Sequence, residues 1–349
     1  MKPWKRKNGS PTSRRPPQTE LRVAAGLGWL MIKRTILLAL KVILPPLAAL
    51  FSPIFYLIAK TGIGVSICRR WGFQPILRHY YEPIPEYETV PPGYFENRHD
   101  SPGVTLDMGA VREVLQNLAA YGPECQWPEG VPRGGGFFAA NPSFGYSSAA
   151  ILHAMIRWSK ARKVLEIGGG YSSLISVEAL KKNSPDGDFQ FICVEPFPND
   201  LLERLIRENG KSSNLVRKKA EELNPDFFID LKENDLLFID SSHVSKLNSD
   251  VNFLYLDVLP KLNRGVLIHI HDIYYPYDYP QEHFYGQKKI FWNEQYLLSA
   301  FLTDNPKFEI IFPGYYLQKD FGAAFQSAFP YYDPQQHRLT SSFWIRKIA

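Results

Sequence analysis

Four carboxylates stand at the ends of four successive apolar runs: Glu166 in residues 164–167, Glu195 closing 189–195, Asp240 closing 235–240 and Asp272 closing 265–272. Two histidines accompany the last two acids, His243 three residues beyond Asp240 and His271 directly before Asp272. Acids gathered along one sheet edge can accept ligand hydroxyls, hold a cation, or fix an imidazole in one tautomer so that it takes a proton. A triple glycine, Gly168, Gly169 and Gly170, follows Glu166 and leads into Tyr171 and Ser172. Glycine there lets a ligand touch backbone that a side chain would cover. The helix start beyond it offers free N–H groups. Glu195, at the next tip, suits a pair of ribose hydroxyls.

These residues need a scaffold that brings strand tips together. Apolar runs alternate with helical periodicity, which predicts helices over 172–181, 199–208, 250–259 and 287–304 between strands at 189–195, 213–218, 235–240, 265–272, 308–312 and 342–346. Such alternation implies an α/β fold, a doubly wound and mostly parallel sheet covered on both faces. Ligands bind beyond the carboxyl ends of its strands. Upstream, Val111, Val114, Leu115 and Leu118 mark an amphipathic helix over 107–121, and Asn141, Phe144 and Gly145 lead into another at 147–158.

Glu166, Gly168 and Gly170 have the form Glu-x-Gly-x-Gly, which resembles the first motif of class I S-adenosylmethionine-dependent methyltransferases. A nicotinamide-binding Rossmann domain is the rival; it expects a third glycine where this chain has Ser173. Residues 238–244 and 269–273, with Pro276 and Pro280 following, are similar to a bacterial group related to the sugar and macrolide O-methyltransferases and to cephalosporin-hydroxylase-like proteins. Residues 79–85, 141–145 and 292–296 add to the likeness, which spans about 75–349.

The resemblance implies a seven-stranded, Rossmann-like sheet whose last strand is antiparallel and inserted beside the fifth. It also implies S-adenosylmethionine as cofactor. Glu166 and the glycine turn are expected to hold its amino-acid portion, with Tyr171 and Ser172 opening the helix beneath. Glu195 would take the ribose, and Asn141, Phe144 and Gly145 would border the pocket. His243 and His271 are the candidate bases for an acceptor hydroxyl, against the plainer reading that each hydrogen-bonds a loop; His269 is expected to be a core histidine with its hydrogen bonds satisfied. Some relatives hold a divalent metal at these tips. Asp240 and Asp272 fit as two ligands, but Ile273 stands where the catechol-type pattern places another donor, so the metal-free reading is preferred. Aromatics crowd 274–285 and 315–332 and favour a sugar or glycolipid acceptor by stacking, or else form a self-packed lid.

The first 22 residues carry seven Lys or Arg against Glu20, a net +6 in a chain of +5, so the remainder is near neutral and nucleic acid is not the expected partner. This tail reads as disordered. Residues 23–62 are apolar, with no charge between 42 and 59, but Pro45, Pro46 and Pro53 interrupt them. A membrane segment entering one leaflet and returning at Pro45-Pro46, with the enzyme on the cytoplasmic side, is the preferred expectation; a true span and a soluble helical extension are the competitors. The expected divisions are 1–22 tail, 23–62 membrane-associating segment, 63–136 extension ending in a Gly/Pro-rich linker, and 137–349 catalytic domain. Three cysteines at 68, 125 and 193 match no metal spacing and fit a reducing compartment.

Overall fold

The computed structural model describes the chain from residue 18 onward, except residues 83, 287 and 288. The expected tail therefore lies mostly outside the described residues. Two compact units emerge, one ending at Pro85 and the other running Glu86–Ala349.

In the first unit a single helix runs Gln18–Thr61, straight through Pro45, Pro46 and Pro53. The expected return at Pro45-Pro46 does not occur. Each proline removes one backbone donor, and part of that loss is repaired locally: Ser52 Oγ donates to the Ala49 carbonyl, four residues before Pro53, at 3.1 Å. Over Thr35–Thr61 the helix has a mean hydropathy of 2.1 and none of its apolar window is buried.

The second unit is built on seven strands: β1 (Lys163–Ile167), β2 (Gln190–Val194), β3 (Ser213–Val216), β4 (Leu236–Ile239), β5 (Leu267–Ile270), β6 (Phe308–Pro313) and β7 (Phe343–Lys347). Their order is β3-β2-β1-β4-β5-β7-β6. Neighbours from β3 to β5 are parallel, and β7 is antiparallel to both β5 and β6. The sheet is thus mostly parallel with the reversed strand beside the fifth, as expected. Side chains alternate between faces, so two cores form. Val164, Phe191, Leu236, Phe238 and Trp344 pack with the helices Tyr146–Ser159 and Tyr171–Asn183. Leu165, Ile167, Leu237, Ile268 and Ile345 pack on the other side with Val251, Tyr255 and Leu298.

Segments 86–136 belong to this same unit. The helix Met108–Ala119 is capped by Asp107 and buries Val111, Val114, Leu115 and Leu118. Gly122, inside the Gly/Pro-rich stretch, lies so close to the Ala328 carbonyl that a Cβ would stand 1.9 Å from it. That stretch is packed rather than free.

One element is shorter than its periodicity suggests. Among the described residues of 287–304, helix forms over Glu294–Leu302. The amides of Asn293 and Glu294 donate to the His243 carbonyl at 3.1 and 3.2 Å. A contact distant in sequence takes the place of an earlier helical turn.

Candidate active site

Strand alternation decides where Glu166 goes. It shares parity with Val164, so it faces the helix Tyr171–Asn183 rather than the tip. There it is fully buried and accepts from Ser172 Oγ at 2.6 Å, Ser173 Oγ at 3.0 Å and Ser176 Oγ at 3.2 Å. Burial pushes its carboxyl up to about 8, against the three serine bonds. Ser172 spends its hydroxyl on this contact. Ser173, standing where a dinucleotide fold has glycine, also receives the Gly170 amide at 3.1 Å.

The glycines differ from one another. Gly168 has φ +81°, and a Cβ on it would stand 1.9 Å from the Asp240 carbonyl. At Gly169 a Cβ would meet Cys193 Sγ at 2.5 Å and Leu202 at 2.8 Å. Gly170 faces open space. The Gly169 amide donates to Glu195 Oε2 at 3.4 Å, and the Phe197 amide to Oε1 at 2.8 Å. Together Gly168, Glu195, Asp240, Ser241 and Lys219 border a cleft of about 410 Å³. Tyr171 sets its ring edge-on to Phe138 at 5.4 Å.

Phe144, in the loop with Asn141 and Gly145, packs in the core that holds Val164, Leu202 and Phe238. Asn141 is buried and occupied by its own loop, donating to the Phe138 and Phe144 carbonyls and accepting from the Ser143 and Phe144 amides. Phe144 is buried against His271, ring centres 4.9 Å apart. Gly145 precedes the helix Tyr146–Ser159 and, with His271, Asp272, Tyr274 and Tyr315, lines a second cleft of about 300 Å³.

Between the two clefts the tips of β4 and β5 bring the four catalytic candidates together. His243 Nε2 lies 3.4 Å from Asp240 Oδ1 and 3.5 Å from Asp272 Oδ2. His271 Nδ1 lies 3.5 Å from Oδ1 of each acid. Both His243 and Asp272 adopt positive φ, +57° and +58°, conformations that tertiary contacts must enforce. The His243 loop is held by Ser242, which donates its amide and hydroxyl to Asp250, and by Asn293, which accepts from the Ser245 amide.

Sequence reasoning did not assign Glu294. It is 0% exposed, and its Oε2 lies 2.9 Å from His243 Nδ1. The other ring nitrogen is thereby directed at the two tip acids. Ser341 was also missed; its hydroxyl donates to Asp272 Oδ1 at 2.8 Å, and Ser148 Oγ lies 3.2 Å from His271 Nε2. For His243, burial works against the charged form, but Asp240, Glu294 and Asp272 prevail and lift it well above the usual imidazole range. His271 is raised the same way, burial being outweighed by Asp272 and Asp240. Burial acts to raise Asp240, and the two imidazoles hold it below the ordinary range instead. His269 is indeed in the core, stacked between Phe238 at 4.2 Å and Trp344 at 4.3 Å. Its hydrogen bonds are not satisfied as expected: stacking holds the ring, neither nitrogen has a partner among the described residues, and burial holds it well below the usual imidazole value.

Asp240, His243 and Asp272 offer ligand atoms within 4.8 Å of one another. A histidine whose second nitrogen meets a carboxylate is the usual setting of a metal ligand. The donor set therefore fits a divalent cation better than two aspartates alone.

Residues 165–273 match a family model described as a methyltransferase domain. An uncharacterized protein of Archaeoglobus fulgidus is 27% identical over 180 residues, covering 49% of this chain and 80% of that protein. Among solved structures, an S-adenosylhomocysteine-bound methyltransferase of Podospora anserina shares 16% identity at a TM-score of 0.37, covering 79% of this chain and 100% of that one. A TDP-rhamnose 3'-O-methyltransferase of calicheamicin biosynthesis shares 10% at 0.34, covering 69% and 96%. The matched segment runs from within β1 through the tip of β5, and around it the sheet has the reversed seventh strand beside the fifth that the resemblance implied. Residues 165–273 are thus similar to a methyltransferase domain, carried on a sheet with the expected reversed strand.

Proposed function

We propose that this domain methylates a hydroxyl of a sugar or glycolipid at a membrane face. The observation that carries the reading is His243. Its Nδ1 is fixed by buried Glu294, while its Nε2 faces Asp240 and Asp272 between two clefts.

The cleft beside Gly168 and Glu195 suits the cofactor. Glu195 takes the ribose hydroxyls, and open Gly170 leaves room for the amino-acid portion. Glu166 acts one step back, fastening the helix start to β1. The cleft beside Asp272, Tyr274 and Tyr315 suits the acceptor, whose ring can stack on the tyrosines. In the reaction the acceptor oxygen attacks the methyl carbon, the carbon–sulfur bond breaks, and the hydroxyl proton passes to His243 Nε2. The products are a methyl ether and S-adenosylhomocysteine. Glu294 keeps the Nδ1 proton in place, so Nε2 is the accepting atom. Alignment and exclusion of water supply much of the rate.

A second reading has its own support. Asp240, His243 and Asp272 would hold a divalent cation. Such an ion would supply Lewis-acid polarisation of the acceptor oxygen. Transfer of labelled methyl from S-adenosylmethionine, with and without chelator, tests both. Loss of turnover in Asp240→Ala with full chelator resistance supports the base reading, and chelator sensitivity supports the cation. Undiminished turnover in both Asp240→Ala and His243→Ala would sink the proposed site.

Membrane attachment rests on the helix Thr35–Thr61. Its 27 residues reach roughly 40 Å at about 1.5 Å each, more than the ~30 Å hydrocarbon layer. Apolar side chains from Ile36 through Leu57 stand exposed on all sides, which suits a lipid surround better than an in-plane helix with one polar face.

A further inference from the structure

We infer that the acceptor carries a phosphate group, recognised by Arg338 in the lining of the acceptor cleft; this rests on the O-methylation reading above. The backbone on both sides of Arg338 is immobilised. Ser147 Oγ donates to its carbonyl at 2.8 Å, and the Thr340 amide donates to Gln318 at 2.5 Å. His337 stacks on Tyr146, ring centres 4.3 Å apart, and pairs with Glu129 at 3.0 Å. Amid these anchors the Arg338 side chain stays exposed while lining the cleft.

A guanidinium carries five N–H donors. Among the described residues Arg338 forms no ion pair, and its guanidinium donates only to the Asn141 carbonyl, at 3.2 Å. The guanidinium lies beside Gly145, where a Cβ would stand 3.7 Å from Nη2, so no side chain crowds its inner face. A second cation is near: Lys319 Nζ sits 3.6 Å from the Tyr277 ring centre and 5.6 Å from that of Tyr315, which shares the cleft with Arg338. It too forms no ion pair among the described residues.

The lining joins Asp272 and His271, the proposed reactive groups, with the exposed cation Arg338. A molecule bearing both a hydroxyl and an anion would find a partner for each there. A planar guanidinium binds a phosphate through two parallel hydrogen bonds, and a lysine adds a point charge for a dianion. The phosphate could belong to a soluble sugar phosphate or to a lipid-linked one.

The test uses the full chain and measures binding of inorganic pyrophosphate, and separately of farnesyl diphosphate in neutral detergent micelles, by calorimetry at low salt. Arg338→Gln should weaken both roughly tenfold or more. Arg338→Lys should fall between. The affinity for S-adenosylhomocysteine should stay within about twofold of wild type. Tighter binding of farnesyl diphosphate than of pyrophosphate supports a lipid-linked acceptor; equal binding supports a soluble one. Absence of pyrophosphate binding in wild type, or equal affinity in wild type and Arg338→Gln, overturns the inference. Failure of wild type to bind S-adenosylhomocysteine would instead defeat the methyltransfer reading, and the pyrophosphate comparison would still judge Arg338.

Discussion

Alanine at Gly168 and alanine at Gly170 should have opposite consequences, although the two glycines are two residues apart. A Cβ on Gly168 would lie 1.9 Å from the Asp240 carbonyl oxygen, on a backbone with φ +81°. The left-handed conformation costs about 1 kcal/mol for a residue with a Cβ, and relieving the overlap means parting the tips of β1 and β4, about 1–3 kcal/mol more. We expect Gly168→Ala to lose roughly 3 kcal/mol and to melt roughly 6–12 °C lower, the scale for a unit of this size. Gly170 is different. Nothing lies within 4 Å of the Cβ position, and the backbone there is extended at φ 176°. Gly170→Ala should therefore fold within about 0.5 kcal/mol of wild type. If the methyl donor lies over this turn, the new methyl group occupies its space, and the Kd for S-adenosylhomocysteine should rise about tenfold or more, ~1.4 kcal/mol. Thermal melting and calorimetry on the two variants separate the effects. Gly170→Ala binding as tightly as wild type would remove the cofactor from the turn. Gly168→Ala melting with wild type would refute the packing argument.

Glu166→Gln should alter the pH dependence of stability. With the folded carboxyl raised to about 8 by burial, the proton contributes stability that is fully present below about 4.5 and lost as pH climbs through 8. The variant, which never ionises, should gain a few kcal/mol (order of magnitude) on wild type between those limits, and a pH-independent difference in urea titrations would contradict this. Glu294→Gln removes one of the charges that raise His243, so the ascending limb of the methyl-transfer rate should move to lower pH while the rate itself falls; an unmoved limb would exclude His243 as the titrating base. Full-length protein should float with liposomes and a chain beginning at Arg69 should not, since Thr35–Thr61 is then missing; equal flotation would dismiss the helix as anchor.

Much of the sheet was legible because its signals are local. Apolar runs that end in Glu195, Asp240 and Asp272 mark parallel strands and their tips together, and each strand was found where expected. Glu166 was misplaced for a reason that the sequence also contained. Strand parity puts it on the Val164 face, and Ser172, Ser173 and Ser176 stand where one helical turn can meet a single acid. Asn141 had the look of a pocket residue, yet its side chain is fully used in closing its own loop. Glu294 could not be picked out, because an acid at a helix start reads as solvent-facing or as a dipole partner. Its burial depends on His243, 51 positions away. The same long-range contact shortened the helix expected from 287. Pro45 and Pro46 misled in the other direction: a helix loses donors at proline but need not turn back, especially when a neighbouring hydroxyl such as Ser52 covers an exposed carbonyl.

The charges around His243 also fit the proposed chemistry as a sequence of events. Asp240, Asp272 and Glu294 converge on two imidazoles, and unpaired carboxylates in so enclosed a place would be costly. Those acids favour the protonated form of both imidazoles, against burial. A sulfonium cofactor arriving nearby contributes a positive charge of its own, so the acids can be balanced with His243 neutral. Methyl transfer then turns the sulfonium into an uncharged thioether at the moment the acceptor's proton reaches Nε2. One positive charge disappears as another forms, so the attraction to the three acids lost at sulfur is offset by that gained at the imidazole. On the proposed chemistry, cofactor binding would favour a neutral His243, and methyl transfer would return its proton.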